Sequence, residues 1–569
     1  MAQSSDPGTS PVATHEPLQT PMAPQASTDQ QVIENDHAEP ATPWKAQGWR
    51  FWAVFPGLCL AMLLTGLDAS ILATSLPTIV SDLHGGALYI WTMNGYFLTT
   101  VVVQPLTGQA ADIFGRRIPM LVSLSLFTLG SGLCGGSTSL PMLIAARLIQ
   151  GFGGGGLFVM TDTIIADLTP LRDRMKYVSM VMIFLYLYSC LLCSFLGPII
   201  GGAIVDNTTW RWVFYINLPV CAAALPLVFL FLRVNHKREG TVAQRLGRVD
   251  YSGNLILVCA VVSILIPLTW GGTTYSWKSW HILLPLLVGF AGLVFFGVHQ
   301  GKFAREPIMP LRVYSNMSCA LGYGITFLHG IVLSWLSFFL PVYFQILLES
   351  TPLQSGVKLL AVVIPLAPAG MAGGIAIALT GHYKMVIVAG FVLLSIAVGC
   401  MTTLDANSST AVWIVFQVLA GLGGGLSLTA TLPAVQAPVP ESDVAIATAA
   451  WAFARSFGAI WGAAIPSAVF NSRFDELLHL IPEPSVRDLL SHGGAYEHAI
   501  RLFIKQFDAQ PVLKEQIIHV YTEALKRVWI VLIPFAVVPI GLALCMKEVE
   551  LRKELKTDFG LKETPEARG

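Results

Sequence analysis

Long apolar runs alternate with short polar connections along most of the chain. A helix rises 1.5 Å per residue, so a run of about 20 residues crosses the hydrocarbon core of a bilayer. About fourteen runs meet this length, with approximate limits 52–79, 88–111, 118–136, 140–165, 178–204, 212–232, 252–271, 281–300, 317–346, 357–380, 385–403, 411–434, 444–470 and 528–546. The pattern predicts an all-α, multi-pass membrane protein with about 14 transmembrane helices.

The polar connections predict the orientation in the membrane. If the N-terminus is inside, fourteen Lys and Arg residues fall in connections facing the cytosol and three in connections facing outside. Because basic loops stay on the cytosolic side, both termini should be cytosolic. The sequons at Asn207 and Asn407 then lie in outer loops and are candidate glycosylation sites.

Three segments lie outside the apolar runs. Residues 1–50 are rich in Pro, Ser, Thr and Gln and predict a disordered cytosolic tail, and residues 547–569 form a second cytosolic tail. The long connection 471–526 carries apolar residues at helical spacing. It predicts amphipathic helices on the outer face, either as a cap over a substrate path or as a plain surface segment.

Composition excludes several classes of protein. The chain is 54% hydrophobic and 12% charged, whereas a soluble protein carries about 25% charged residues. A formal net charge of zero without a basic patch disfavours a nucleic-acid partner. All nine cysteines lie in apolar runs, and the CxxC at Cys190 and Cys193 has no partner ligands nearby, so no metal site is predicted. Because no GxxxxGK[ST], HExxH or GxSxG motif occurs, an ATP-driven pump and an enzyme are both disfavoured.

The segment RLIQGFGGGGLF, 147–158, places an arginine and five glycines inside an apolar run. A shift of 270 residues superposes GFGGGGL, 151–157, on GLGGGLS, 421–427, so the chain contains an internal repeat. We divide it into a first six-helix half (51–232), inserted helices 7 and 8 with their loops (233–316), and a second six-helix half (317–546). Repeated halves with a substrate path between them are typical of secondary transporters.

The glycines of the repeat form GxxxG pairs, which let helix backbones approach closely in lipid. The pairs are Gly151 with Gly155 and Gly421 with Gly425. Static helix packing and a surface on which helices move are both consistent with this pattern.

Arg147 requires a separate explanation, because its counterpart in the second half is Gln417. A charge at bilayer depth costs roughly 2.5–3.5 kcal/mol on insertion scales and usually has a partner. Asp68 in the first run is the best candidate. Gln150 shares a helix face with Arg147 by its i+3 spacing.

Five motifs carry a resemblance to a known family: LDASILATSLPTI (67–79), GQAADIFGRR (108–117), RLIQGFGGG (147–155), GPIIGG (197–202) and WRWVFYINLP (210–219). Together they resemble the major facilitator superfamily and, within it, the fourteen-span drug:proton antiporters, most like fungal efflux pumps for toxins and secondary metabolites. One position departs, since Cys193 stands where the antiporter motif usually has glycine. The resemblance implies two pseudo-repeated six-helix halves in a monomer of the plasma membrane, driven by the proton gradient without a cofactor.

The resemblance also implies roles for particular residues. It assigns the antiporter motif to Gly197, Pro198, Gly201 and Gly202. It assigns a cytosolic gating motif to Gly108, Asp112, Gly115, Arg116 and Arg117, paired with Asp162 or Asp167. The alternative for the arginines is that they only orient the protein by positive charge. Proton coupling and transport are assigned to Asp68, Arg147, Gln150 and Arg455.

Arg455, in the thirteenth run, is a second intramembrane cation. It would act at a cavity or gate, assisted by Trp451 through a cation–π contact, or pair with backbone carbonyls. For His329, hydrogen-bonded packing is favoured over proton transfer. An aromatic, weakly polar substrate cavity would be lined by Trp91, Tyr96, Gln104, Trp335, Tyr343, Gln345, Gln417, Trp451 and Trp461. The alternative is that these aromatic residues face lipid or the membrane interface.

These observations favour a proton-coupled secondary transporter that exports a small amphipathic organic compound, such as a drug, toxin or secondary metabolite. Its partners would be that compound, protons and the lipid bilayer. A proton-coupled importer, such as a siderophore transporter, and a non-transporting membrane sensor are the alternatives. The GPIIGG motif favours export, and the short C-terminal tail offers no signalling domain for a sensor.

Overall fold

The computed structural model describes residues 49–83, 90–169, 204, 208–232, 241–271, 275–491 and 493–552. The described chain is helical, and the predicted all-α fold class is confirmed. Most of the predicted fifth span falls outside the described residues, and with it Gly197, Pro198, Gly201 and Gly202. The sequon residue Asn207 also falls outside them.

The first half supplies helices for predicted spans one to four and six. They are α1 (Trp49–Asp82), α2 (Ile90–Phe114), α3 (Arg117–Gly135), α4 (Leu140–Leu168), α5 (Trp212–Tyr215) and α6 (Asn217–Phe231). The start of α4 follows from its sequence, because Ser139 is extended and a proline occupies the first turn, where its missing N–H costs no hydrogen bond.

The inserted segment supplies α7 (Val242–Leu246), α8 (Tyr251–Trp270) and α9 (Trp280–Lys302). Side chains cap all three helices at their N-termini, with Thr241 on α7, Asp250 on α8 and Ser279 on α9. Many large apolar side chains of α9 are exposed, among them Leu287 and Val294, as expected for a helix that faces lipid.

The second half contains five long helices, three short ones and a final long helix. They are α10 (Met317–Ile346), α11 (Pro352–Thr380), α12 (Tyr383–Met401), α13 (Thr410–Gln436), α14 (Val444–Leu477), α15 (Pro484–Leu490), α16 (Gly494–Glu497), α17 (Arg501–Lys505) and α18 (Pro511–Cys545). Short 3-10 helices occupy Leu311–Tyr314, Glu441–Asp443 and Leu478–Leu480. Eleven described helical stretches are long and apolar enough to cross a membrane, and the total of fourteen stays a prediction.

The outer connection differs from its prediction. The helix α14 continues to Leu477 and α18 already begins at Pro511, so both extend beyond the predicted limits 470 and 528. Their extensions present an apolar surface, and α15, α16 and α17 pack onto it, burying Leu490, Phe503 and Ile504 in the same core as Phe470 and Tyr521. The segment is therefore packed against the second half, because its apolar residues find a protein surface and not only the membrane interface.

The glycine run explains how the helices of each half pack. A Cβ atom at Gly151 or Gly155 of α4 would overlap backbone carbonyl oxygens of α2. A Cβ atom at Gly421 or Gly425 of α13 would overlap backbone carbonyl oxygens of α11 in the same way. The repeat in the sequence thus corresponds to a repeated helix contact, in which glycine is required by close approach.

This contact can be tested with one alanine substitution at Gly151. Since the added Cβ overlaps the Tyr96 carbonyl oxygen and Thr99 Oγ1, Gly151→Ala should lower stability by about 1–3 kcal/mol, as overpacking does. The matched control is Gly132→Ala on α3, where nothing lies within 4 Å of the added atom. Helix propensity alone predicts that this control gains up to about 1 kcal/mol.

The measurement is thermal unfolding of both variants in the same detergent. A Gly151→Ala protein that melts with the wild type would contradict the close packing of α2 on α4.

Candidate functional site

A buried polar cluster surrounds Arg147, seven residues into α4 and about 10 Å below its outer end. The guanidinium forms a salt bridge with Asp68 of α1. It also donates to Gln150 Oε1 at 2.7 Å and to the carbonyl oxygen of Thr92 at 3.1 Å. The predicted neighbours Asp68 and Gln150 therefore both contact the arginine.

The carboxylate of Asp68 is only 2% exposed and accepts from three side chains. Besides Arg147, these are Gln150 Nε2 at 2.7 Å and Asn217 Nδ2 at 3.3 Å. Removing one partner of a buried ion pair typically costs about 3–5 kcal/mol, because the other charge is left uncompensated. The three donors together hold the Asp68 carboxylate between α1, α4 and α6.

A second layer of residues holds the cluster in place. The guanidinium carbon of Arg147 lies 4.4 Å from the centre of the Tyr96 ring, a cation–π contact. Ser131 of α3 accepts from Gln150 Nε2 at 2.9 Å. Tyr96, which the sequence suggested as a cavity residue, packs against the arginine.

Sequence reasoning missed Asn217 and Ser131. Both are neutral polar residues inside apolar runs, and Asn217 lies within the motif WRWVFYINLP. A buried amide needs hydrogen-bond partners, so its position in an apolar run was the available signal.

A second cluster lies where α2 and α4 end and α3 begins, at the opposite end of α4 from Arg147. Arg116 forms salt bridges with Asp167 and, at 2.9 Å, with Asp112, and it donates to the carbonyl oxygen of Ala111 at 2.8 Å. Burial acts to lower the pKa of Arg116, but the charges of Asp167 and Asp112 outweigh it, so this pKa lies above its usual value. Gly115 has φ of 79°, a left-handed conformation that glycine adopts without strain.

Two residues predicted for this gating cluster lie elsewhere. Arg117 points away from Arg116. It donates to the carbonyl oxygen of Phe229, and its guanidinium carbon lies 4.5 Å from the centre of the Phe229 ring. Asp162 precedes Asp167 by five residues, which places it about 140° around the helix, facing away from Arg116. Its electrostatic neighbour is Arg455.

The interface between the two repeats is closed on the side of the Arg116 cluster. A Cβ atom at Gly108 of α2 would overlap Ala449 of α14, so these helices are in direct contact. Gln104 of α2 also donates to Ser456 Oγ of α14 at 3.0 Å. The sequence suggested Gln104 as a cavity residue, and here it joins the two halves.

Arg455 on α14 lies between aromatic rings of both halves. Its guanidinium carbon is 4.9 Å from the Trp451 ring, the predicted neighbour, and 4.2 Å from the ring of Phe158 on α4. Trp451 is fixed by a hydrogen bond from its Nε1 to Thr431 Oγ1 at 3.1 Å.

Several predicted cavity residues have structural roles instead. Trp335 is fully buried and packs on Phe535 of α18, and Tyr343 donates to the carbonyl oxygen of Asp405 in an outer loop. Large aromatic side chains thus also fill the core of the second half, and the place of these two residues in a cavity stays a prediction. Trp461 packs on Phe290 of α9.

The remaining candidates have these positions. Gln417 is buried and donates to the Trp413 carbonyl oxygen of its own helix, and His329 bonds through Nε2 to the Gly424 carbonyl group, as a packing residue does. Trp91 and Gln345 are half-buried, and their place in a cavity stays a prediction. Asn407 lies in an outer loop that the structure describes.

Residues 58–326 match the Major Facilitator Superfamily. The chain is 42% identical to the "Efflux pump FUS6" of Gibberella fujikuroi, over 92% of this chain and 94% of that protein. It is 42% identical to the "MFS-type efflux pump LUC4" of a Fusarium species, over 96% of both chains. Among solved structures, the human organic anion transporter MFSD10 superposes with a TM-score of 0.54 at 15% identity, covering 86% of this chain and 99% of that one. That likeness concerns the fold alone.

We predict that the effect on stability of removing one charge of the buried cluster depends on whether the other charge is present. Arg147→Met leaves Asp68 buried without its counter-charge and should cost about 3–5 kcal/mol of stability. Adding Asp68→Asn removes the uncompensated charge, while the amide oxygen still accepts from Gln150 and Asn217. The double variant should therefore be more stable than Arg147→Met alone.

Thermal stability of the two variants and of Asp68→Asn, in one detergent, forms the double-mutant cycle. Additive losses would mean that the two charges do not interact.

Proposed function

Because the chain belongs to the major facilitator superfamily and is a membrane transporter, we propose that it exports a small amphipathic organic compound in exchange for protons. The compound is a drug, toxin or secondary metabolite. The relatives whose names state a direction support export, since three of them are an "Efflux pump", an "MFS-type efflux pump" and an "MFS efflux transporter". We place the protein in the plasma membrane as a monomer, with both termini in the cytosol, as the distribution of basic loops indicates.

The buried pair of Asp68 and Arg147 is the observation that carries proton coupling. Both side chains are buried inside one half, and about 10 Å of helix separates Arg147 from the outer end of α4. A proton that reaches Asp68 from outside converts an acceptor of three hydrogen bonds into a neutral acid. Its attraction for Arg147 is lost, and the contacts that join α1, α4 and α6 must rearrange.

The rearrangement can alter access to the cytosol because α4 carries both clusters. Arg147 lies near its outer end, and Asp167, which holds Arg116, lies near its cytosolic end. The cytosolic contact of Gly108 with Ala449 must open before a substrate can enter from the cytosol. Asp112 is 23% exposed in its salt bridge, whereas Arg116 and Asp167 are 1% and 7% exposed. Separation of the halves admits water to this cluster, and solvent exposure weakens its ion pairs.

Asp68→Asn separates coupling from transport. The substituted amide keeps the shape of the side chain but cannot bind and release the proton, so export driven by a pH gradient should fall to background. Substrate counterflow needs no net proton movement and should continue. If gradient-driven export survives along with counterflow, Asp68 is structural and the proton site lies elsewhere.

The matched pair Arg147→Lys and Arg147→Ala supports this reading. Lysine keeps the charge but lacks the planar donors that reach Asp68, Gln150 and the Thr92 carbonyl group, so it should restore coupled export only in part. Alanine should abolish it with protein still present in the membrane.

The substrate is identified by comparing metabolites in cells and medium with and without the gene. Flux of that compound is then measured in inverted vesicles. Export predicts that the compound accumulates inside inverted vesicles whose lumen is more acidic than the medium. Proton-driven loss of the compound from the lumen would indicate import instead.

A further inference from the structure

A second carboxylate on α4 is buried far from Asp68. Asp162 follows Arg147 by 15 residues, or about 22 Å along the axis, and precedes the cytosolic end of α4 by about 9 Å. The two acids therefore lie on opposite sides of the membrane midplane. Asp162 belongs to neither cluster described above.

Asp162 differs from the other intramembrane acids in its hydrogen bonding. It is 1% exposed, and neither carboxyl oxygen has a hydrogen-bond partner in the part of the chain that the structure describes. Asp68 and Asp112, by contrast, each form a salt bridge with an arginine. Burying an ionised carboxylate without a hydrogen-bond donor is very unfavourable, so the surroundings of Asp162 favour its neutral, protonated form.

The charged side chain that acts electrostatically on Asp162 belongs to the other half. Arg455 of α14 is the one charged group, among the described residues, that acts electrostatically on Asp162. It lies over Phe158, which precedes Asp162 by one helical turn on the same face of α4. The charges that α1 and α2 present to α4 are Asp68 and Asp112, each held by its own arginine.

We propose that Asp162 is a second proton-binding site, at the cytosolic side of the interface between the halves, and that Arg455 is its partner in the cytosol-open state. The inference rests on the proposed proton-coupled function and adds a site to it. With the cytosolic ends closed, Asp162 holds a proton and Arg455 lies on the ring of Phe158.

Opening the cytosolic side moves α14 away from α2 and α4 and admits water to Asp162. The acid then gives its proton to cytosolic water, and the resulting carboxylate attracts the guanidinium from the Phe158 ring. The two positions on α4 are four residues apart, or about 6 Å along the helix axis. Proton release and opening thus favour each other.

The site is tested on the full-length protein in phosphatidylcholine nanodiscs, with the proton as the only ligand. Infrared spectra at neutral pH should show the carbonyl band of a protonated carboxyl group, and Asp162→Asn should remove it. Thr163→Val is the matched control, since Thr163 Oγ1 is also buried without a partner but carries no acid; it should leave the band unchanged. A band that persists in Asp162→Asn overturns the proposal.

Spin-label distances across the cytosolic ends of the two halves test the coupling to opening. In the Asp68→Asn background, where the first site cannot titrate, the cytosolic ends should open as pH rises, whereas Asp68→Asn combined with Asp162→Asn should stay closed at every pH. Arg455→Gln removes the partner of the ionised form, so its opening should shift to higher pH by about one unit, given that an opposite charge within reach typically contributes roughly 1–3 units. Arg455→Lys should shift less. An unchanged opening curve in Arg455→Gln would rule out its role.

These measurements are independent of the proposed transport cycle. In Asp68→Asn, the infrared band of Asp162 and its pH-dependent opening should remain. If Asp68→Asn loses gradient-driven export but keeps the infrared band, the result bears on the proposed role of Asp68 alone. If Asp162→Asn keeps the band, the second site is excluded and the export test of Asp68 still stands.

Discussion

The close approach of α4 to its two neighbours is the constraint on which the rest of the structure depends. Gly151 meets the backbone of α2, and Gly130 of α3 meets the backbone of Gln150 on α4. At these separations no side chain fits between the helices, so the polar groups of α2 and α3 reach the interior of the half. The Tyr96 ring can then lie over Arg147, and water is kept from the ion pair. The glycines thus create the close packing within which the charge of Arg147 is buried.

The two intramembrane arginines show two ways of stabilising a cation in an apolar environment. Arg147 is matched by a carboxylate, an amide and a carbonyl group within one half. Arg455 is half-buried between the halves, and its described contacts include two aromatic faces, each of which attracts a cation less directionally than a salt bridge does. The first arrangement suits a pair that changes only when a proton arrives. The second suits a side chain that moves when the halves separate.

Much of the helical architecture could be predicted because lipid forces every backbone polar group into a helix, so apolar length alone marks the spans. The contact of Arg147 with Asp68 could be predicted because charges in apolar runs are rare. The neutral partners could not, since Asn217 and Ser131 carry no charge to mark them. The packing of Trp335 on Phe535 could not be predicted, because an aromatic residue in an apolar run is equally suited to core, lipid and cavity. The early start of α18 was missed because its first turns are amphipathic and not uniformly apolar.

In the proposed cycle, a single helix, α4, connects protonation near Arg147 with the contacts of Arg116 at its other end. A helix is stiff over its 29 residues, and α4 carries an outer ion pair, a glycine face against α2, a buried acid and the cytosolic anchor of Arg116. In the proposed cycle, a shift of α4 at the Arg147 end is passed along the helix to the end that carries Asp167. Packed glycine contacts permit sliding in discrete steps better than interlocked large side chains do. The segment RLIQGFGGGGLF, which places a charge and five glycines in a membrane helix, is therefore suited to a helix that packs closely and, in the proposed cycle, moves.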